Sequence, residues 1–432
     1  VEWGLTESQY GWSYLEHPAT AMRLKLVYNN TTGTPTFSMV ANTTTGDTIL
    51  WRFIVTAPQD AWKGASNTSW TTVGNWTRTI IPPTGGGVRF DSSSTANLTT
   101  VLNQDFNLWG VTVTTPTGPV AIGGAHNMTI GGGGIDLSGT SQNLTIASPL
   151  VLGSLQNWNV ASGRTLHITG GVSGSFPFIV AGTGTVLLGA AATHSGDTTV
   201  MGTLKTDAPN VLPNGLAAGD LTLNGTLDLN GTSQIINGLN GGGIVDNVAG
   251  GGAATLTVGN DGTTSTFNGT IQNTSGTLAL IKTGGGNLTL SGTNTYSGGT
   301  TSNGTGGIFP KSDYTFGSGP VVMNGGTLYA TGGVYTFANA LTLTGATLRV
   351  GGGAGRSVTW TGPVSVTANS GISADGSTSG ITLSGGLDMG NGGHTLTSFA
   401  NGNANTISAP ISGGGGTIVV TFGTLNLNAA NS

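Results

Sequence analysis

The sequence predicts an all-β protein wound as a β-solenoid, led by a short N-terminal β-rich cap or docking segment. Three observations predict it. Glycine supplies 78 of the 432 residues while charged residues are only 7%, against averages of about 7% Gly and about 25% charge. Short apolar-alternating runs fill most of the chain, separated by Gly, Asn, Asp or Ser, and no helical face can be drawn through them. One stretch also recurs, most clearly at 282–301, which reads KTGGGNLTLSGTNTYSGGTT.

Two other glycine-rich classes fail on physical grounds. Collagen needs glycine at every third position, and that period is absent. Disorder needs low hydrophobicity and high net charge, whereas this chain is 36% hydrophobic with a net charge of −5. Length alone permits two or three domains, but one solenoid absorbs all of it.

Residues 1–60 differ from the rest. Trp3, Tyr10, Trp12, Tyr14, Tyr28, Trp51 and Phe53 crowd together with most of the early charges. Runs at 23–28 and 49–55 read as strands separated by Thr/Asn/Gly turns. Solenoid ends expose strand edges and bare core, so terminal segments are atypical; this one is expected to cap the rod or dock on a neighbouring copy. Residues 61–90 form a lead-in carrying Trp62, Gly64, Trp70, Asn75, Trp76 and Pro82, with the three tryptophans expected to fill the first coil. From 91 to 432 short runs follow one another, among them 108–113, 144–146, 165–168, 221–223, 278–281, 341–343 and 418–420. At roughly 20–25 residues per coil and about 4.8 Å between strands, this region predicts some 14–17 coils.

The stretch at 282–301 shows the syntax in full. Leu288 and Leu290 alternate with Thr289 and Ser291, and Gly292, Gly298 and Gly299 then interrupt the pattern where the backbone is expected to turn sharply. A second copy lies 102 residues earlier, with Val186 for Leu288, His194 for Tyr296 and Gly196 for Gly298. A third begins at Leu425 and Leu427. The series Leu288, Leu290, Gly292, Asn294, Tyr296, Gly298, Gly299 resembles the autotransporter-associated β-strand repeat of bacterial surface passenger regions. The lead-in likewise resembles the W-x-G…W…N-W…P segment that precedes such repeats. The resemblance implies a right-handed parallel β-helix outside the cell, and it says almost nothing about chemistry. No set of amphipathic barrel strands follows, so the chain is read without a translocator. Val1 is read as a processed or trimmed start, consistent with a removed export signal.

Charge and composition narrow the partners. So few Lys and Arg in an acidic chain give no electrostatic basis for nucleic acid or an anionic membrane. No run of 18 apolar residues marks a spanning helix, and the absent cysteines exclude a disulfide scaffold.

Some β-helix proteins cleave polysaccharides, which makes the carboxylates the candidates for catalysis. A glycosidase needs two carboxyl groups about 5–10 Å apart, yet Asp136, Asp197, Asp207, Asp220, Asp228, Asp246, Asp261, Asp313, Asp375 and Asp388 are scattered singly and mostly beside turn residues. The run GGGGIDL at 131–137 begins like a calcium-binding repeat, but Ser138 stands where an apolar residue belongs and no tandem copy follows. His17, His126, His167, His194 and His394 have no second ligand at metal spacing. The Gly-rich run at 351–357 lacks the lysine of a phosphate loop and reads as a turn. Asn-x-Thr/Ser triplets and Thr-x-Thr pairs suit turns and strands.

No cofactor is expected, and no catalytic or metal-ligating residue is assigned. The expectation is a non-enzymatic extracellular rod that stacks head-to-tail with copies of itself, or forms an adhesin stalk. Trp3, Trp12, Tyr14 and Trp51 would make contact at one end and Leu425 and Leu427 at the other. The alternative is a carbohydrate-active or carbohydrate-binding β-helix, which would require clustered Asp residues beside an exposed Trp such as Trp158 or Trp360.

Overall fold

A computed structural model describes residues 59–248 and 252–428, together with the backbone of five strands before them. Those five are Gly4–Glu7, Trp12–Glu16, Arg23–Val27, Thr36–Ala41 and Trp51–Thr56. The first three pair antiparallel with each other, and the last two form an antiparallel hairpin. The early segment is thus β-rich, with strands close to the expected 23–28 and 49–55.

From Gln59 onward every strand pairing is parallel, and the chain winds as a three-sided solenoid of about 15 turns. Face 1 runs unbroken from Gln59–Ala61 and Gly86–Phe90 to Thr417–Phe422. Face 2 follows it in most coils, with nine strands from Thr99–Val101 to Thr270–Ile271 and five from Val334–Phe337 to Leu425–Leu427. Face 3 closes the coil, through Leu150–Leu152 and Val172–Gly174, then through nine strands from Gln234–Ile236 to Ile411–Ser412.

Coil length follows from the register. Thr185 pairs with Thr203, 18 residues on; Leu288 with Ile308, 20 on; and Ile244 with Thr270, 26 on. The predicted 20–25 residues per coil sits inside that spread, because insertions are absorbed at the corners while the strands stay in register.

The period-2 pattern decides which side chains enter the core. Leu221-Thr-Leu223, Leu288-Thr-Leu290 and Leu341-Thr-Leu343 all bury both leucines and leave the central threonine half-exposed. Each fully buried Leu, Val or Ile contributes about 1.5–3 kcal/mol. The core starts on Trp62, Trp70 and Trp76, all buried. Their rings meet edge to face, with centroids 5.0 Å apart for Trp62–Trp76 and 5.2 Å for Trp70–Trp76, a favoured geometry for aromatic pairs. The three tryptophans of the lead-in fill the first coil.

The apolar core is one body from Trp62 to Tyr296 and another from Ile308 to Ile407. Buried Lys282, Asn294, Thr300, Ser302 and Thr315 lie around the division. The Lys282 ammonium, its pKa pushed down by burial, donates to the carbonyls of Thr283 and Gly284 at 2.9 and 2.8 Å.

Candidate functional site

The recurring stretch builds a corner of the solenoid. Leu288 and Leu290 point inward on face 1. The next two coils have no face 2 strand, and residues 294–295 and 314–315 take its place. Thr295 N–H donates to the Ile271 carbonyl at 3.0 Å, and Asn294 N–H to the Tyr314 carbonyl at 3.1 Å. The Asn294 side chain accepts from Ile271 N–H at 2.8 Å and donates to the Thr315 carbonyl at 2.8 Å. One buried amide thus stitches three coils where the backbone ladder lapses, satisfying groups that would otherwise be orphaned.

The glycines serve two purposes, which corrects the expectation that all three mark sharp turns. Gly299 has φ +85° and is a turn residue. Gly292 and Gly298 have no left-handed backbone. A Cβ on them would stand 1.8 Å from the Gly269 carbonyl oxygen and 2.6 Å from that of Leu278. They are glycine because the neighbouring coil passes too close.

Tyr296 is wholly buried at this corner, and its hydroxyl and that of Thr300, four residues on, are 2.5 Å apart. Burial holds the phenol proton well above its usual range. The earlier copy repeats the bond with different chemistry. His194 is buried, and its Nε2 lies 2.9 Å from the Thr198 hydroxyl, again four residues on. The ring stands edge-on to Phe178 at 5.0 Å, Phe178 stacks on Trp158 at 4.3 Å, and burial lowers the imidazole pKa to about 4. Yet the two copies sit at different corners. Leu288 lies on face 1, whereas Val186, its counterpart, lies on face 2. Leu425–Leu427 also lies on face 2.

Residues proposed to recognise other molecules are placed variously. Trp3 lies outside the described residues, as do the side chains of Trp12, Tyr14 and Trp51. Leu425 packs partly against the C-terminal core and Leu427 is half-exposed. Beside them Ile418 is partly buried, while Val420 and Phe422 are 47% and 53% exposed. Among the described residues, Thr417–Phe422 pairs with Thr395–Ala400 and Leu425–Leu427 with Asn405–Ile407.

Trp158 and Trp360 are fully buried, which removes them as sugar platforms. Their indole N–H groups donate to Gln156 Oε1 at 2.9 Å and to the Asn339 carbonyl at 2.6 Å, so the inward register of their strands has claimed both rings. The carboxylates are occupied locally. Asp136, Asp228, Asp261 and Asp388 each accept the N–H two residues on, the turn geometry expected of Asp. Asp197 accepts from Asp220 N–H, and Asp220 from Gly238 N–H. Burial, with Asp261 and Asp197 nearby, raises the Asp220 pKa. The glycines of 131–137 make room for the Trp109 indole: a Cβ on Gly133 would stand 2.5 Å from its Cδ1 and Nε1.

One constellation was not anticipated. The outward positions of face 1 align Phe309, Tyr329, Arg349, Ser373 and Phe399 in a single column crossing five coils. Phe309 and Tyr329 meet edge to face at 5.4 Å, and the Arg349 guanidinium lies 4.4 Å from the Tyr329 ring centroid. Arg349 pairs with Asp375, which also accepts from the Ser373 hydroxyl at 2.5 Å. Phe399 stacks on Phe422 at 5.3 Å. The sequence signal was available, because Phe309, Tyr329 and Arg349 fall 20 residues apart, one coil each.

Comparison with family models, with curated proteins and with solved structures gives no match. The chemistry of this chain is therefore argued from its own geometry.

Proposed function

We propose that this protein is a structural rod, a non-enzymatic β-solenoid subunit that joins end to end on or outside a bacterial cell, as a filament, a layer or the stalk of an adhesin. The observation that carries the reading is the face 1 ladder, which runs unbroken through parallel pairing from Gln59–Ala61 to Thr417–Phe422 and grows by adding coil on coil. A strand edge is a template for further strands, and the solenoid adds one coil on another by just this pairing. A head-to-tail contact between unlike surfaces does not close on itself and propagates as a filament. The reading assigns that contact to Leu425 and Leu427 at one end and to Trp3, Trp12, Tyr14 and Trp51 at the other. Placement outside the cell rests on the likeness of the 288–299 stretch to passenger repeats.

Sedimentation velocity tests the reading. The chain is expected to associate as its concentration rises, and Val420→Lys, at an exposed position, to hold it as single rods. Single rods at every concentration for the unsubstituted chain would overturn the proposal.

A further inference from the structure

The outward column of face 1 lies along the side of the rod, and its last member, Phe399, stacks on Phe422. Its surroundings gather charge. Lys311, Arg349 and Arg356 are the only Lys and Arg residues after Lys282; Arg349 is in the column itself, and Lys311 and Arg356 converge beside it. Beside Gly332, at the corner from face 1 to face 2, Lys311 Nζ and the Tyr335 hydroxyl each lie 3.7 Å, and Arg356 Nη1 4.0 Å, from the point where a side chain on that glycine would begin. Arg349 has its carboxylate in Asp375. Lys311 and Arg356 have none within ion-pair distance among the described residues; Lys311 donates to the Thr331 carbonyl and hydroxyl. Asp313, the other acidic group near this corner, accepts the Thr336 N–H at 2.8 Å.

A gap in the surface runs beside the same column. Thr347, Gly371 and Thr397 form the adjacent outward row, and Gly371 leaves a depression of about 330 Å³ walled by Thr347, Asn369, Ser373, Thr397 and Phe399. Unlike Gly292, Gly371 is not required by the backbone. It has no left-handed φ, and a Cβ there would meet Thr347 at 3.4 Å and Thr397 at 3.6 Å, ordinary contacts. An outward glycine inside a strand is one of the positions where a ligand can approach the backbone closely.

We infer that this stripe binds an acidic polysaccharide lying along the rod axis. The partly exposed Phe309 ring, edge to face with Tyr329, offers apolar surface to the C–H faces of pyranose rings. The Lys311–Arg356 pair meets the carboxylates, as guanidinium and ammonium groups do through charge-assisted hydrogen bonds. Coils repeat about every 4.8 Å, close to the length of one sugar residue, so successive coils can address successive sugars.

The probe is polygalacturonate, with neutral dextran as the comparison, titrated calorimetrically into the full chain at low salt. Binding of polygalacturonate that weakens with added salt is expected, with no binding of dextran. The double variant Lys311→Gln/Arg356→Gln should lose at least tenfold in affinity. Gly371→Thr, which fills the depression with a residue the strand accepts, should lose a similar factor at unchanged thermal unfolding. No binding of polygalacturonate, equal binding of dextran, or variants that bind as the parent does would each overturn the inference.

Discussion

The corners at Tyr296 and His194 use one design with two chemistries. Each buries a ring, each places that ring's polar atom on a threonine hydroxyl four residues on, and each then enters a strand, at Thr300 or at Thr198. They differ in the proton. The phenol stays neutral throughout the range of ordinary buffers, whereas the imidazole can be charged by mild acid only at the expense of its buried position. The difference teaches that the recurring motif specifies a local shape, a ring-filled bend into a strand, and leaves both the ring and the face of the solenoid open.

Substitutions can break this comparison in graded steps. Tyr296→Ala removes the ring and leaves a cavity beside the polar layer between the two cores; a loss of about 4 kcal/mol in chemical denaturation is expected. Acid should act on the other corner alone. His194 has its pKa lowered to about 4 in the folded chain, from 6.5. Between these values the unfolded state holds the extra proton, so stability is full above pH 6.5, falls with the pH and levels off below 4. The full loss is about 3 kcal/mol. His194→Tyr, which copies the later corner, should abolish that portion of the acid sensitivity in denaturation midpoints measured from pH 7 to 4.

Asn294→Ala should cost about 2 kcal/mol by stranding the Ile271 N–H and the Thr315 carbonyl. Hydrogen exchange at Ile271 should rise well above that at Val245, which precedes it in the face 2 ladder. The smallest effect, about 1 kcal/mol, is expected for Thr198→Val, which removes a single hydroxyl partner; a small drop in melting temperature would register it.

Much of the fold was legible because the inward–outward alternation of residues such as Leu288 to Leu290 is local. So was the filling of the first coil by Trp62, Trp70 and Trp76, since three large apolar rings near the start of a glycine-rich solenoid have few other places to go. Face assignment was not legible. The text around Val186 and Leu288 is alike, and only the summed lengths of intervening corners decide which side each strand joins. The same holds for Gly292, whose role depends on a carbonyl of the preceding coil. The stripe through Phe309, Tyr329 and Arg349 escaped because its members are single residues a coil apart, each ordinary in its own strand. Trp158 and Trp360 misled for the opposite reason: tryptophan suggests a surface platform, but strand register turns both inward.

Electron microscopy of the purified chain tests the central claim most directly. About 15 turns at about 4.8 Å per turn make a rod of about 70 Å. The account predicts straight particles in multiples of one unit length that shift to single units with Val420→Lys. Particles of one unit length at all concentrations, or globular particles without a long axis, would contradict it.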